Sequence, residues 1–158
     1  MIKSIGFTLV ELLIAVSVLA IIGAFGFAAL VNYSRTQALE NAARDLKTHL
    51  RLAQSKAMVQ EKPAACSSSA PLTAYRLTFT NPSNYRIDAL CSTTVTVGTF
   101  SLPQPITRTV PAADTYIDFL VSNGLPRPAV GYSLPFTFTL SGFSNTSSVV
   151  IEATGVIR

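Results

Sequence analysis

Between Phe7 and Val31 this chain carries one charge, the carboxylate of Glu11, set in the run Gly6-Phe7-Thr8-Leu9-Val10-Glu11 just ahead of twenty uncharged residues at 12–31. A carboxylate in apolar surroundings is costly unless a cation meets it, so the chemistry open to Glu11 is charge pairing, and the cation can come from another chain. An α-amine titrates at about 8 and is such a cation at neutral pH.

The other reactive side chains are few. His49, the only histidine, falls on the polar shoulder of a helical pattern and reads as a surface histidine rather than a ligand or general base. Asp114 and Asp118 stand four apart, spaced either as paired acids and a weak cation site or, the reading preferred here, as solvated loop and strand acids. Cys66 and Cys91 either stay reduced and buried or join in a disulfide, which would close a loop of about 25 residues and contribute on the order of 3 kcal/mol. One histidine and two cysteines cannot build a zinc site, and no phosphate-cradling glycine loop or nucleophile elbow is present, so neither metal, cofactor nor catalytic residue is expected.

The elements that position these residues follow from periodicity. The stretch 12–31 is long enough to cross a bilayer, since about twenty residues match a hydrocarbon core of about 30 Å. Within it Ala20, Ala24 and Ala28, with Gly23 and Gly26 beside them, either mark a flank along which another helix can approach closely or are the small residues common in membrane helices generally; no proline occurs before Pro63, so any local melting rests on the two glycines. From Asn32 the pattern turns amphipathic: Leu39, Ala43, Leu46, Leu50, Ala53 and Ala57 form one stripe, with Arg44, Lys47, Arg51 and Gln54 off it. Lys62-Pro63 marks the expected helix end.

Beyond Pro63 the period becomes two. Tyr75, Leu77 and Phe79 alternate with Arg76, Thr78 and Thr80, Asn81-Pro82-Ser83-Asn84 forms a turn, and Tyr85, Ile87, Ala89 and Cys91 share a face. Further strands are expected at 93–100, 116–121, 136–140 and 148–157, and the hairpin spacing predicts antiparallel pairing. The fold class is therefore α+β, with segments 1–6, 7–31, 32–62 and 63–158 as short leader, apolar helix, amphipathic helix and antiparallel sheet domain. The 127 residues after Val31 suffice for one modest core. A net charge of +4 gives little attraction to nucleic acid without a local patch.

An ordinary secretory signal ends in a small-residue cleavage site after its apolar core, whereas the small residue Gly6 precedes it here. Lys3 followed by Gly6-Phe7-Thr8-Leu9-Val10-Glu11-Leu12-Leu13 closely resembles the class III signal of type IV pilins and type II secretion pseudopilins. The resemblance implies the pilin fold, cleavage between Gly6 and Phe7 by a prepilin peptidase, methylation of the new Phe7 amine to N-methylphenylalanine, and pairing of Glu11 with the Phe7 amine of a neighbouring subunit. It further implies a single-pass protein of the bacterial cytoplasmic membrane, its globular domain outside the cytoplasm where a disulfide can persist, handled by an inner-membrane assembly platform and drawn from lipid into a cell-surface or periplasmic filament. The flanking charges do not settle orientation, because Lys3 precedes the span while Arg35, Arg44 and Lys47 follow it.

Downstream, the run 46–66, Ile117-Asp118-Phe119 with Asn123-Gly124, and the terminal Gly155-Val156-Ile157-Arg158 are similar to the GspH/FimT group of minor pilins and pseudopilins. DNA-binding members of that group carry Gly-Arg-x-Arg near the C-terminus. Gly155 and Arg158 match, but Val156 stands where the first arginine belongs, which removes one of few phosphate contacts. Arg158 and Arg127 are the candidate DNA contacts. The expected function is a structural, non-enzymatic subunit of a type IV pilus or type II secretion pseudopilus, a minor one; the alternative is a DNA-binding or adhesive minor pilin of a competence pilus.

Overall fold

An apolar run joined without proline to an amphipathic one leaves nothing to break a helix between them. In the computed structural model, which describes residues 8–67, 69–111 and 115–158 and, within α1, no side chains at 23–26 or 28, helix α1 runs over Leu9–Met58. The chain forms two compact units that divide between Thr36 and Gln37.

In the first unit, Thr8 caps the helix. Its carbonyl accepts the Leu12 N–H at 3.2 Å, the first regular bond of the helix, and its Oγ1 accepts the Glu11 N–H at 3.3 Å, which satisfies one of the donors orphaned in a first turn. Every described side chain from Thr8 to Ile22 is exposed. Among the described residues no helix is long and apolar enough to cross a membrane; the span expected over 12–31 passes through positions 23–26 and 28, whose side chains lie outside that description.

In the second unit, the stripe Leu39, Ala43, Leu46, Leu50, Ala53 and Ala57 is buried, together with Ala42. The helix ends at Met58, four residues before the expected Lys62. Gln60 takes a left-handed φ of 54°, Glu61 N–H bonds to Lys56 O at 3.1 Å and Gln60 N–H to Ala57 O at 3.2 Å. That pair of bonds is a Schellman close, so the helix stops on its own C-cap before the proline can act.

The strands are β1 Ala74–Phe79, β2 Asn84–Leu90, β3 Thr94–Ser101, β4 Thr107–Val110, β5 Tyr116–Leu120, β6 Pro126–Pro128, β7 Phe136–Gly142 and β8 Asn145–Ile151. They make the expected antiparallel pairing in two sheets, β3-β2-β1-β5-β6 and β4-β7-β8. Tyr75, Leu77, Phe79, Ile87, Ile117 and Phe119 of the first sheet share one core with Phe138, Leu140, Val149 and Ile151 of the second and with the helix stripe. The Phe79 and Phe138 rings, 5.3 Å apart, are one of its links between the sheets.

Cys66 and Cys91 are joined, with Cα atoms 6.1 Å apart, inside the range a disulfide accepts. The bond ties the segment after the helix to the end of β2. The last strand differs most from expectation. It begins at Asn145, after a two-residue turn in which Phe143 and Ser144 have φ of 54° and 64°, and it ends at Ile151 rather than continuing to Ile157. Gly155, at φ 85°, reverses the chain so that Arg158 exchanges two backbone bonds with Val150.

Candidate functional site

The sequence places charge pairing at the first turn of α1. There the Glu11 carboxylate meets, among the described residues, just the Thr8 hydroxyl, at a long 3.5 Å. Thr8-Leu9-Val10-Glu11 thus has the spacing of a capping box, and a carboxylate in the first turn also suits the positive end of the helix dipole. Gly6 and Phe7, the expected cleavage and methylation positions, lie outside the described residues. Leu9, Leu12, Leu13, Val16, Leu19 and Ile22 are all more than half exposed, so the turn bearing Glu11 opens onto an apolar surface on every side. Burying a side chain of this kind is worth about 1.5–3 kcal/mol.

A second cluster lies on the face of the five-stranded sheet opposite to Tyr75, Leu77 and Phe79. The register sets Thr96 of β3 opposite Asp88 of β2, Asp88 opposite Arg76 of β1, Arg76 opposite Asp118 of β5, and Asp118 opposite Arg127 of β6. Asp118 is 1% exposed and accepts Arg76 Nε at 2.6 Å, Arg76 NH2 at 3.0 Å and Arg127 NH2 at 3.0 Å. Asp88, equally buried, accepts Thr96 Oγ1 at 2.8 Å and Arg86 Nε at 2.9 Å. The Arg76 guanidinium also lies 3.7 Å above the Tyr116 ring, and the Asp118 bonds raise its pKa further above that of an ordinary arginine.

This arrangement corrects one reading and places two candidate contacts. Asp118 is not a solvated strand acid, since two guanidinium groups cover it; Asp114, its supposed partner, lies outside the described residues. Arg127, a candidate DNA contact, is a strand residue bound to Asp118. Arg158, the other candidate DNA contact, pairs with Glu152 at 3.1 Å on an exposed surface.

His49 is likewise not a plain surface residue. It is half-buried, its Nδ1 lies 2.8 Å from Tyr85 Oη, and its ring stacks on Phe100 at 3.8 Å between centroids. Burial lowers its pKa below the ordinary 6.5, against the opposing pull of Asp45. The unfolded chain therefore binds more protons than the folded one between that lowered value and about 6.5, and stability falls as pH drops through this window. Urea unfolding is expected to show a lower midpoint at about pH 5 than at about pH 7, with the difference shrinking in His49→Gln. An unaltered pH slope in that variant would assign the proton uptake to other groups.

The polar shoulder of the helix does structural work that its pattern does not announce. Gln54 Nε2 donates to Gly124 O at 3.2 Å and to Gly155 O at 2.9 Å, and Arg51 NH2 donates to Ile157 O at 3.0 Å. A Cβ at Gly155 would stand 2.8 Å from Gln54 Nε2, which, with the positive φ, accounts for glycine there.

The N-terminal residues 1–27 match the family model described as the prokaryotic N-terminal methylation motif. Residues 42–155, well over half of the chain, match the model of the type II transport protein GspH. The chain belongs to the GspH family. No curated protein and no solved structure gave a significant match. GspH membership makes this a pilin-like, pseudopilin-type subunit, and it accounts for the helix packed on antiparallel sheet. In this GspH-family chain, Gly155, at which the chain turns back, is held by Gln54 of the helix.

Proposed function

We propose that the chain is the precursor of a minor subunit of a type II secretion pseudopilus. A prepilin peptidase cuts between Gly6 and Phe7 and methylates the Phe7 amine; residues 12–31 hold the protein in the cytoplasmic membrane with its globular domain outside. Assembly then draws the helix out of lipid and packs it among the helices of other subunits, where Glu11 receives the Phe7 amine of a neighbour. The observation that carries this reading is the first turn of α1, where a carboxylate held by no cation among the described residues stands in an apolar stretch whose described side chains to Ile22 are all exposed. Pairing two such charges relieves the desolvation of both and fixes the axial register of one subunit against the next.

DNA capture has less support, because Arg127 and Arg158 are paired with Asp118 and Glu152 and Val156 replaces an arginine. The processing step is tested by the mass of the mature N-terminus. The wild-type protein is expected to begin at methylated Phe7, and Gly6→Val, which puts a branched side chain at the scissile position, is expected to accumulate uncut and unmethylated. A mature protein that begins at Met1 would refute the proposal.

A further inference from the structure

The two sheets have four edges, and three of them are short or closed over part of their length. At β6 the sequence Pro126-Arg127-Pro128 lacks two of three backbone donors. Along β8, Arg158 exchanges both backbone bonds with Val150, and Ile157 bridges to Ile151. The four-residue β4 gives its Arg108 N–H to Pro82 O at 2.7 Å and runs into Pro111. The fourth edge is β3, eight residues long, Thr-Val-Thr-Val-Gly-Thr-Phe-Ser, with no charge and no proline.

Which groups β3 leaves open follows from alternation, because each residue of an antiparallel strand points its N–H and C=O to the same side. Cys91 N–H bonds to Thr93 O and Leu102 N–H to Ser83 O, which turns Val95, Gly98 and Phe100 toward β2, opposite Ala89, Ile87 and Tyr85. Thr94, Thr96, Thr99 and Ser101 then face away, and all four are exposed. Among the described residues no hydrogen bond from another segment reaches their backbone groups. The bulge at Val97 adds one residue at the middle of the strand, so the open positions fall two on each side of it.

That set is self-complementary. Turned end for end about a two-fold axis between residues 97 and 98, Thr94 meets Ser101 of the copy and Thr96 meets Thr99, while each bulge faces the other at the axis. We propose that the β3 edge pairs antiparallel with β3 of a second copy of this chain in that register, continuing the five-stranded sheet across a two-fold interface. Natural edges are protected by charge, proline or cover, and this one, the longest of the four, has none of these among the described residues. The inference rests on the sheet alone and does not depend on the membrane or filament reading.

The full chain in detergent micelles is followed by amide hydrogen exchange at increasing protein concentration. The amides of Thr94, Thr96, Thr99 and Ser101 are expected to slow at least tenfold, with those of Val95, Gly98 and Phe100 protected throughout as a check that β3 is folded. Thr94→Lys with Ser101→Lys sets like charges opposite each other twice in the dimer and is expected to abolish the slowing; Thr94→Lys with Ser101→Glu replaces them with opposite charges and is expected to restore it. Fast exchange of the four amides at every concentration, slowing seen just on adding a different chain, or slowing that the Lys/Lys variant does not affect would each overturn the proposal.

Discussion

Glu11→Ala is expected to leave cleavage after Gly6 and methylation of Phe7 intact while lowering incorporation into filaments about a hundredfold. The reason is asymmetric: removing the acid leaves the neighbour's ammonium in an apolar bundle without a partner, and breaking a buried pair in this way costs about 3–5 kcal/mol, of which 2.7 is already a factor of roughly one hundred. Glu11 also stands at the third position of the Thr8-capped turn, so helix fraying is a competing cause of any loss. Glu11→Gln separates the two. Glutamine can keep the capping geometry but carries no charge, and the pairing account expects it to fail as alanine does. The measurement is the ratio of sheared filament to total mature protein. Glutamine at wild-type level would assign Glu11 to capping, and alanine at wild-type level would dispose of the charge pair.

The second large effect is expected at Arg76. Arg76→Met removes two of the three N–H groups that Asp118 accepts and leaves a carboxylate that is 1% exposed beside Arg127 alone. A loss of about 3–5 kcal/mol of unfolding free energy follows, roughly 10–20 °C in Tm for a domain of this size. Arg76→Met combined with Asp118→Leu is expected to be more stable than Arg76→Met, because an apolar pair carries no desolvation penalty. Thermal unfolding of the single and double variants tests both statements. A single variant within 1 kcal/mol of wild type would mean that water, not Arg76, solvates Asp118.

Much of this molecule is legible in its sequence. The stripe from Leu39 to Ala57 lies buried where its spacing put it, and the hairpin through Asn81-Pro82-Ser83-Asn84 joins β1 to β2. Strands β3 and β5 fall within a residue or two of expectation. These elements were readable because each buries one face and leaves the other polar, which writes a period into neighbouring residues. Strand β6 escaped because Pro126 and Pro128 argue against a strand except at an edge, which is where it lies. Strand β4 was too short to show a period, and the early helix end turned on Gln60 adopting a conformation that its type does not advertise.

The sequence by itself carries the motif at the front of the chain, because Gly6, Phe7 and Glu11 lie within six residues and the pattern they form is local. It also determined the amphipathic helix and the pairing of the first two strands, for the same reason. Only the tertiary structure decided the rest. Arg76, Asp88, Asp118 and Arg127 come from four strands and face one another because of register, which no single segment encodes. His49 met Phe100 and Tyr85 across about fifty and thirty-six positions of sequence, and Gln54 found the carbonyls of Gly124 and Gly155 at separations of 70 and 101. Long-range partners of this kind are set by how a sheet pairs and how a helix lies upon it, and a polar residue is silent about its partner until both are in place.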